Sequence, residues 1–262
     1  MDGLVAGKVA FVSGIGPGMG RDISMLFAEH GAHLVVGART VERCQALVDE
    51  LEAAGAKAHA VHLDITDADS CAAAVAAAVE RFGRVDVLVN NAFQDGNFKR
   101  FIDSDLDEWR TTAEVNLWGT LGLTQLVARQ MRDQGDGGRI VMINSMSSVR
   151  IEERFGAYTA SKAALAAATK TLAKELGRFG IRVNSVFPGY IWGDSVEMYF
   201  KYQADRQGIT FDEQYASVAD QTALGYLPHS SEIAGAVLFL ASDLAKPITG
   251  QALHVNAGHW FP

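Results

Sequence analysis

The chain has 262 residues, 48% of them hydrophobic, and 31 acidic against 23 basic residues leave a formal net charge of −8. This length and apolar share allow one sizeable α/β core, while the acidic balance argues against nucleic acid, whose phosphates demand a basic surface. No apolar run approaches the ~20 residues of a membrane span, and Met1-Asp2-Gly3 lacks the basic stretch that opens a secretion signal.

Along the chain, Lys8-Val9-Ala10-Phe11-Val12-Ser13-Gly14 reads as a strand over 8–13. It runs into the loop Gly14-Ile15-Gly16-Pro17-Gly18-Met19-Gly20. A helix over 18–30 follows, with Ile23, Leu26, Phe27 and His30 at helical spacing. Strand, glycine loop and helix together offer free backbone N–H groups and a positive helix end to a phosphate. The spacing here is Gly14-x-x-x-Gly18-x-Gly20 rather than the commoner Gly-x-Gly-x-x-Gly. Further strands are predicted at 33–38, 57–62, 85–90, 139–145, 181–187 and 251–255. Helices are predicted at 41–54, 67–82, 106–134, 156–179 and 230–241, with Thr66 and Asp69 as a capping pair for the second of these. Such alternation implies a parallel sheet with helices on both faces, and the absence of linkers or repeats makes residues 1–262 one domain.

Cys44 and Cys71 fall in predicted helices with no disulfide or zinc spacing. His59 and His62 lie three apart on a strand and point to opposite faces. The expectation is a reducing, cytoplasmic compartment and no protein-bound metal. Residues 189–229 break the alternation and carry Tyr190, Trp192, Tyr199, Phe200, Tyr202, Phe211, Tyr215 and Tyr226. Inserts of this length usually serve a function or move. Their rings either line a pocket for a bulky apolar substrate or pack against the domain or a neighbouring subunit.

The chemistry centres on Tyr158-Thr159-Ala160-Ser161-Lys162, with Ser145 thirteen residues upstream. On a helix, positions four apart share a face, so phenol and ammonium can serve one substrate. A free tyrosine has a pKa near ~10, and a nearby ammonium is expected to pull it towards neutrality.

Taken in order, Ser13-Gly14-x-x-x-Gly18-x-Gly20, Asp64, Asn90-Asn91-Ala92, Asn116 in Asn-Leu-Trp-Gly, Ser145 with Tyr158 and Lys162, and Pro188-Gly189 resemble the short-chain dehydrogenase/reductase superfamily over nearly the whole chain. The resemblance implies a Rossmann-like, doubly wound, seven-stranded parallel sheet and hydride exchange between a nicotinamide dinucleotide and a carbonyl or secondary alcohol. It implies catalysis by Asn116, Ser145, Tyr158 and Lys162, with Tyr158 as general acid or base, Ser145 binding the reacting oxygen and Asn116 holding a water that links Lys162 to solvent. It assigns the cofactor to the loop residues Ser13, Gly14, Gly16, Gly18, Met19 and Gly20, to Asp64 and Ile65 at the adenine, and to Asn91, Ala92, Tyr158 and Lys162 at the nicotinamide ribose. Pro188, Gly189 and Ile191 would hold the carboxamide, and residues 189–229 would form a substrate lid.

Ala38 stands where NAD-selective relatives carry aspartate, and Arg39 follows it, so NADP(H) is favoured over NAD(H). The departures are Phe93 for a glycine after Asn91-Ala92, Gly193 for a threonine, and Asn256-Ala257-Gly258 for Asp-Gly-Gly. Phe93, Met146, Phe155, Tyr190 and Trp192 flank the catalytic group in chain order and are the substrate-pocket candidates. Arg150, Glu152 and Glu153 could reach a polar substrate. A homotetramer or dimer through the helices near 106–134 and 156–179 is also implied. Two other classes lie open: a dinucleotide-binding regulator without catalysis, and a relative turned to elimination or dehalogenation. The intact glycine loop, Ser145, Tyr158 and Lys162 favour the reductase.

Overall fold

The computed structural model describes residues 3–261. Among these, β1 (Val9–Ser13), β2 (His33–Ala38), β3 (Ala58–His62), β4 (Val87–Asn90), β5 (Gly138–Ile143), β6 (Ile181–Pro188) and β7 (Ala252–Val255) form one seven-stranded sheet in the order β3-β2-β1-β4-β5-β6-β7. Every neighbouring pair is parallel. The inner strands are continuously apolar because helices cover both faces. β1 and β4 are buried at every position.

Alternation along each strand divides the core in two. Ala10, Val12, Leu34, Val36, Val87, Val89, Val141 and Ile143 face one cluster, which holds residues of α1 (Met19–Glu29), α2 (Val41–Ala53) and α9 (Ser230–Ala241). Val9, Phe11, Val35, Leu88, Ile140 and Met142 face the other, with α3 (Ala68–Phe82), α5 (Thr120–Gln134) and α6 (Gly156–Leu176).

Three helix expectations need correction. The cap of α3 is Asp67, whose carboxylate accepts from the Asp69 and Ser70 N–H groups. Thr66 is engaged elsewhere, its hydroxyl donating to Asp64 Oδ1 at 2.7 Å. The helix expected at 106–134 divides into α4 (Leu106–Ala113), a wide π turn over Glu114–Gly119, and α5. That turn brings Gly119 against the loop after β3, so a Cβ there would sit 2.5 Å from the Ile65 carbonyl oxygen. The helix expected to end at 179 stops at Leu176 and finishes as a tight 3₁₀ turn, with left-handed Gly180 behind it.

Residues 189–229 contain α7 (Asp194–Gln207) and α8 (Phe211–Ala219), and a short parallel bridge joins Trp192 to His229. Buried Phe200, Val218 and Leu227 gather Tyr190, Trp192, Val196, Phe211 and Tyr215 into a small separate core. The Trp192 and Tyr215 rings meet edge to face at 4.8 Å. Most of the segment's rings therefore pack on one another, while Tyr199, Tyr202 and Tyr226 stay exposed. Cys44 and Cys71 are buried free thiols. Among the described residues no helix is long and apolar enough to cross a membrane, and no His, Cys, Asp and Glu side chains gather as a metal site would require.

Candidate active site

Chain order reverses between β1 and β4, and ligands of open α/β sheets settle outside the strand ends at such a point. The floor of the crevice there is a set of close backbone approaches. Asn91 N–H donates to the Ser13 carbonyl at 3.2 Å, and the Asn91 amide donates to the Gly14 carbonyl at 2.6 Å. Gly14 has φ +84°, and a Cβ on it would lie 2.4 Å from the Ala92 nitrogen. A Cβ on Gly20 would lie 2.5 Å from the Gly14 oxygen. These glycines let the ends of β1, α1 and β4 touch.

Gly16 and Gly18 differ, since a Cβ on either would meet nothing within 4 Å. Gly18 is the N-cap of α1 and supplies no side-chain cap, so Met19 and its neighbours open the helix with unpaired N–H groups towards that space. An open backbone cradle at a helix N-terminus suits the pyrophosphate of a dinucleotide. Beyond it, β2 ends at Ala38 and exposed Arg39 follows. Hydrogen bonds from Thr66 hold the neighbouring Asp64 carboxyl below its usual range, with a smaller contribution from Arg39. On the opposite side β6 ends at Pro188, and Gly189 presses on Asn256, where a Cβ would lie 2.9 Å from the asparagine Cβ. Ile191 packs against the first core cluster. Gly193, in extended backbone with open space around it, caps α7.

Ser145 follows β5. Its N–H is held by the Asn144 side chain at 2.9 Å, and its Oγ accepts from Ser147 N–H at 3.1 Å. The first turns of α6 carry Tyr158 on the side of the site where Ser145 lowers its phenol. Lys162 is only 3% exposed, donates to the Ile143 carbonyl at 2.8 Å, and places Nζ 5.7 Å from the Tyr158 ring centre. Part of Tyr158 stays open, but its phenol lies deep. Burial pushes that phenol up to about 12, opposed by the Ser145 hydrogen bond and reinforced by the charge of Asp95. Burial also pushes Lys162 down to about 7. The expected downward pull of lysine on tyrosine is not found, and desolvation disfavours the charged form of both groups.

Asn116 sits in the π turn and is fully buried. Its Oδ1 accepts from Gln94 N–H at 2.7 Å, and its Nδ2 donates to the Gln94 carbonyl at 2.7 Å and to Ser161 Oγ at 3.1 Å. Both amide protons are therefore taken by protein groups. Ser161 Oγ in turn donates to the Tyr158 carbonyl at 2.7 Å.

The pocket candidates scatter. Phe93 is 60% exposed on the loop after Ala92. Met146 is buried against Gly189 and Asn256, Phe155 meets Phe98 at 4.8 Å, and Tyr190 stacks on His259 at 5.9 Å. Trp192 belongs to the aromatic core of its own segment. Arg150 pairs with Glu152 and reaches Gln221, while Glu153 pairs with Arg100. Sequence reasoning passed over Asp95, Ser161 and His259. Asp95 stood two residues after the noted Phe93 departure, whereas His259 joins Tyr190 only through the fold.

Residues 14–259 match the family described as enoyl-(acyl carrier protein) reductase. The chain is 37% identical to an L-rhamnose 1-dehydrogenase (NAD(P)(+)) of Sphingomonas sp. (strain SKA58), with 97% of both chains covered. It is 38% identical to a trans-4-hydroxycyclohexanecarboxylate dehydrogenase of Sinomonas cyclohexanicum, covering 97% of this chain and 93% of that one. The crystal structure of carveol dehydrogenase from Mycobacterium avium in complex with NAD superposes with a TM-score of 0.92 at 27% identity, over 98% of this chain and 99% of the other. With fold, switch-point crevice and relatives in agreement, the chain belongs to the short-chain dehydrogenase/reductase family and is an NAD(P)-dependent oxidoreductase.

Proposed function

We propose that this protein reduces a ketone, and in reverse oxidises a secondary alcohol, on a bulky and largely apolar substrate, with NADP(H) preferred over NAD(H). The observation that carries the reading is buried Lys162, its Nζ 5.7 Å from the Tyr158 ring centre, with Ser145 following β5 close enough to lower the phenol. The open glycine cradle, Asn91, Ala92 and Lys162 hold a nicotinamide dinucleotide, which when bound supplies or accepts the hydride. Tyr158 gives its proton to the substrate oxygen, and a phenol held up at about 12 is fully protonated for that task at neutral pH. Ser145 binds the same oxygen and keeps it within reach of the phenol. Lys162, fixed by the Ile143 carbonyl, favours the tyrosinate needed in the alcohol-oxidising direction whenever it carries its charge.

Arg39 behind Ala38 supports the NADP(H) preference, since a guanidinium suits a 2′-phosphate and no carboxylate stands at position 38 to repel it. Exposed Phe93, Phe98, Val149 and Ile151 on the segments beside Asn91 and Ser145 support an apolar substrate. Residues 189–229 act as the lid of a single catalytic domain, moving as a unit because they carry their own aromatic core. Trp118, 60% exposed on the π turn, supports self-association through that face as a dimer or tetramer. The two free thiols suit a reducing cytoplasm.

The test is fluorescence titration with NADPH and with NADH, followed by turnover of Tyr158→Phe. Binding of NADPH tenfold tighter and a ~10²–10⁴-fold fall in turnover with binding retained are expected. Wild-type turnover in Tyr158→Phe would remove the catalytic assignment, and tighter NADH binding would remove the cofactor preference.

A further inference from the structure

Residues 189–229 are closed on themselves at the N-terminal turn of α9. Trp192 N–H donates to the Pro228 carbonyl at 2.8 Å, and the parallel bridge pairs Trp192 with His229. His229 is the N-cap of α9 and donates its N–H to Glu232 Oε2 at 2.8 Å. The other oxygen of Glu232 accepts from the Tyr226 hydroxyl at 2.9 Å. Both ends of the segment therefore meet beside Ser230, which is 4% exposed.

The same turn touches the glycine cradle. The Ser230 hydroxyl donates to Asp22 Oδ2, and Asp22 lies in the first turn of α1, its N–H bonded to the carbonyl of the N-cap Gly18 at 3.2 Å. Arg21 stands 3.7 Å from the other oxygen of Asp22, and His229 Nδ1 stands 4.0 Å from Oδ2. A carboxylate suits the positive end of a helix, but beside a cradle for pyrophosphate it repels the ligand's own charge. Here its oxygens are turned to side-chain partners, and the side chain is only 15% exposed. One hydrogen bond between residues 208 positions apart thus runs from the cradle to the root of the segment.

We infer that Asp22 is a positioning residue that joins the first turn of α1 to the root of residues 189–229 through Ser230, so that a ligand seated on the cradle steadies that segment without touching it. This rests on the reading of the segment as a lid. A ligand held by the N–H groups of α1 fixes the first turn of the helix, and the fixed turn holds the bond to Ser230, one of the stronger class because its acceptor is charged. Such coupling is reciprocal: the factor by which the ligand steadies the segment is the factor by which the closed segment raises ligand affinity.

The experiment uses ADP-ribose, which carries the adenosine and pyrophosphate of the cofactor and lacks its nicotinamide. Limited proteolysis within 189–229 is timed with and without saturating ADP-ribose in the full chain, in Asp22→Ala, in Ser230→Ala and in the double variant, with binding followed by calorimetry. Where reclosing outpaces cutting, the rate reports how often the segment opens. ADP-ribose should slow cutting about tenfold in the wild type and leave it nearly unchanged in each variant, while its affinity falls by no more than the same factor. The double variant should match the single ones, because the two side chains are the ends of one bond. A contribution to stability alone would speed cutting with and without ligand alike, so a wild-type ratio in Asp22→Ala would overturn the inference. Absence of protection in wild-type protein that binds ADP-ribose would also overturn it and leave the oxidoreductase standing. Cuts that reach the sheet as early as the segment would overturn the lid reading along with it.

Discussion

Alanine at Gly14 and alanine at Gly16 should give opposite phenotypes, although the two positions share one loop. At Gly14 the backbone has φ +84°, where a Cβ costs about 1–2 kcal/mol. The added carbon would also lie 2.4, 2.5 and 2.9 Å from backbone atoms of Ala92 and Asn91, none of which can rotate away. Relief requires the ends of β1 and β4 to separate, which brings the cost to about 3 kcal/mol or more, in the range of overpacked cores. For a chain of this size 1 kcal/mol is worth about 2–4 °C, so Gly14→Ala should melt ~6–12 °C early. Gly16 has neither problem: its φ lies outside the left-handed region and no atom sits within 4 Å of the new carbon. There alanine removes unfolded-state freedom and should be neutral or stabilising by up to ~1 kcal/mol. The methyl group nevertheless enters the cradle at the start of α1, and NADPH affinity should fall at least tenfold, ~1.4 kcal/mol. Thermal melts and fluorescence titration on both variants decide the matter. Unchanged NADPH affinity in Gly16→Ala, or a wild-type melting temperature in Gly14→Ala, would refute the division between a packing glycine and a binding glycine.

Lys162→Met should raise stability near pH 7 and flatten its pH dependence. The folded protein holds this ammonium at about 7, against ~10.4 in an unfolded chain. Between those values the unfolded chain binds more protons, so wild-type stability climbs with pH and the variant should lack that climb. Urea midpoints at pH 7 and pH 9 measure it, below the range in which Tyr158 contributes, and parallel wild-type and variant slopes would defeat the reasoning. Ala38→Asp should invert cofactor preference by placing a carboxylate where a 2′-phosphate would sit, and a titration still favouring NADPH would move the phosphate site away from β2. Phe200→Ala empties the centre of the small aromatic core and should cost that segment about 3–5 kcal/mol. Limited proteolysis should then cut within 189–229 while the sheet melts near its wild-type temperature, and a loss shared by the whole protein would show that the segment does not open independently.

The sheet was legible because its signal is local. Runs such as Val9–Ser13 and Val87–Asn90 are apolar at nearly every position and end in glycine or asparagine, so their strands fall within two residues of the expected bounds. The glycine landmarks were legible for the same reason, yet their division of labour was not: the sequence alone does not tell Gly14, pressed on Ala92, from Gly16, facing open space. The π turn escaped notice because its partner, Ile65, lies far away along the chain. Trp192 was equally beyond reach, since nothing in residues 189–229 announces that Phe200, Phe211 and Tyr215 will gather round it. The Tyr158–Lys162 spacing gave the right helix face but the wrong direction for the tyrosine, because its pKa is governed by burial that only the assembled fold creates.

Asn116 shows why the site depends on such through-space arrangements. Its side chain joins the loop after β4, the π turn and the first turns of α6: it takes both backbone groups of Gln94 and, through Ser161, reaches the Tyr158 carbonyl. A regular helix would carry residue 116 past this meeting point, and the wide turn, held by Gly119 against Ile65, keeps it there. The loop so anchored runs on from Asn91 and Ala92, while α6 bears the phenol and the ammonium. One buried amide thereby fixes the loop after β4 against the start of α6. Both of its amide protons are taken, so a water on a proton path to Lys162 past this residue would have to donate to one of its oxygens.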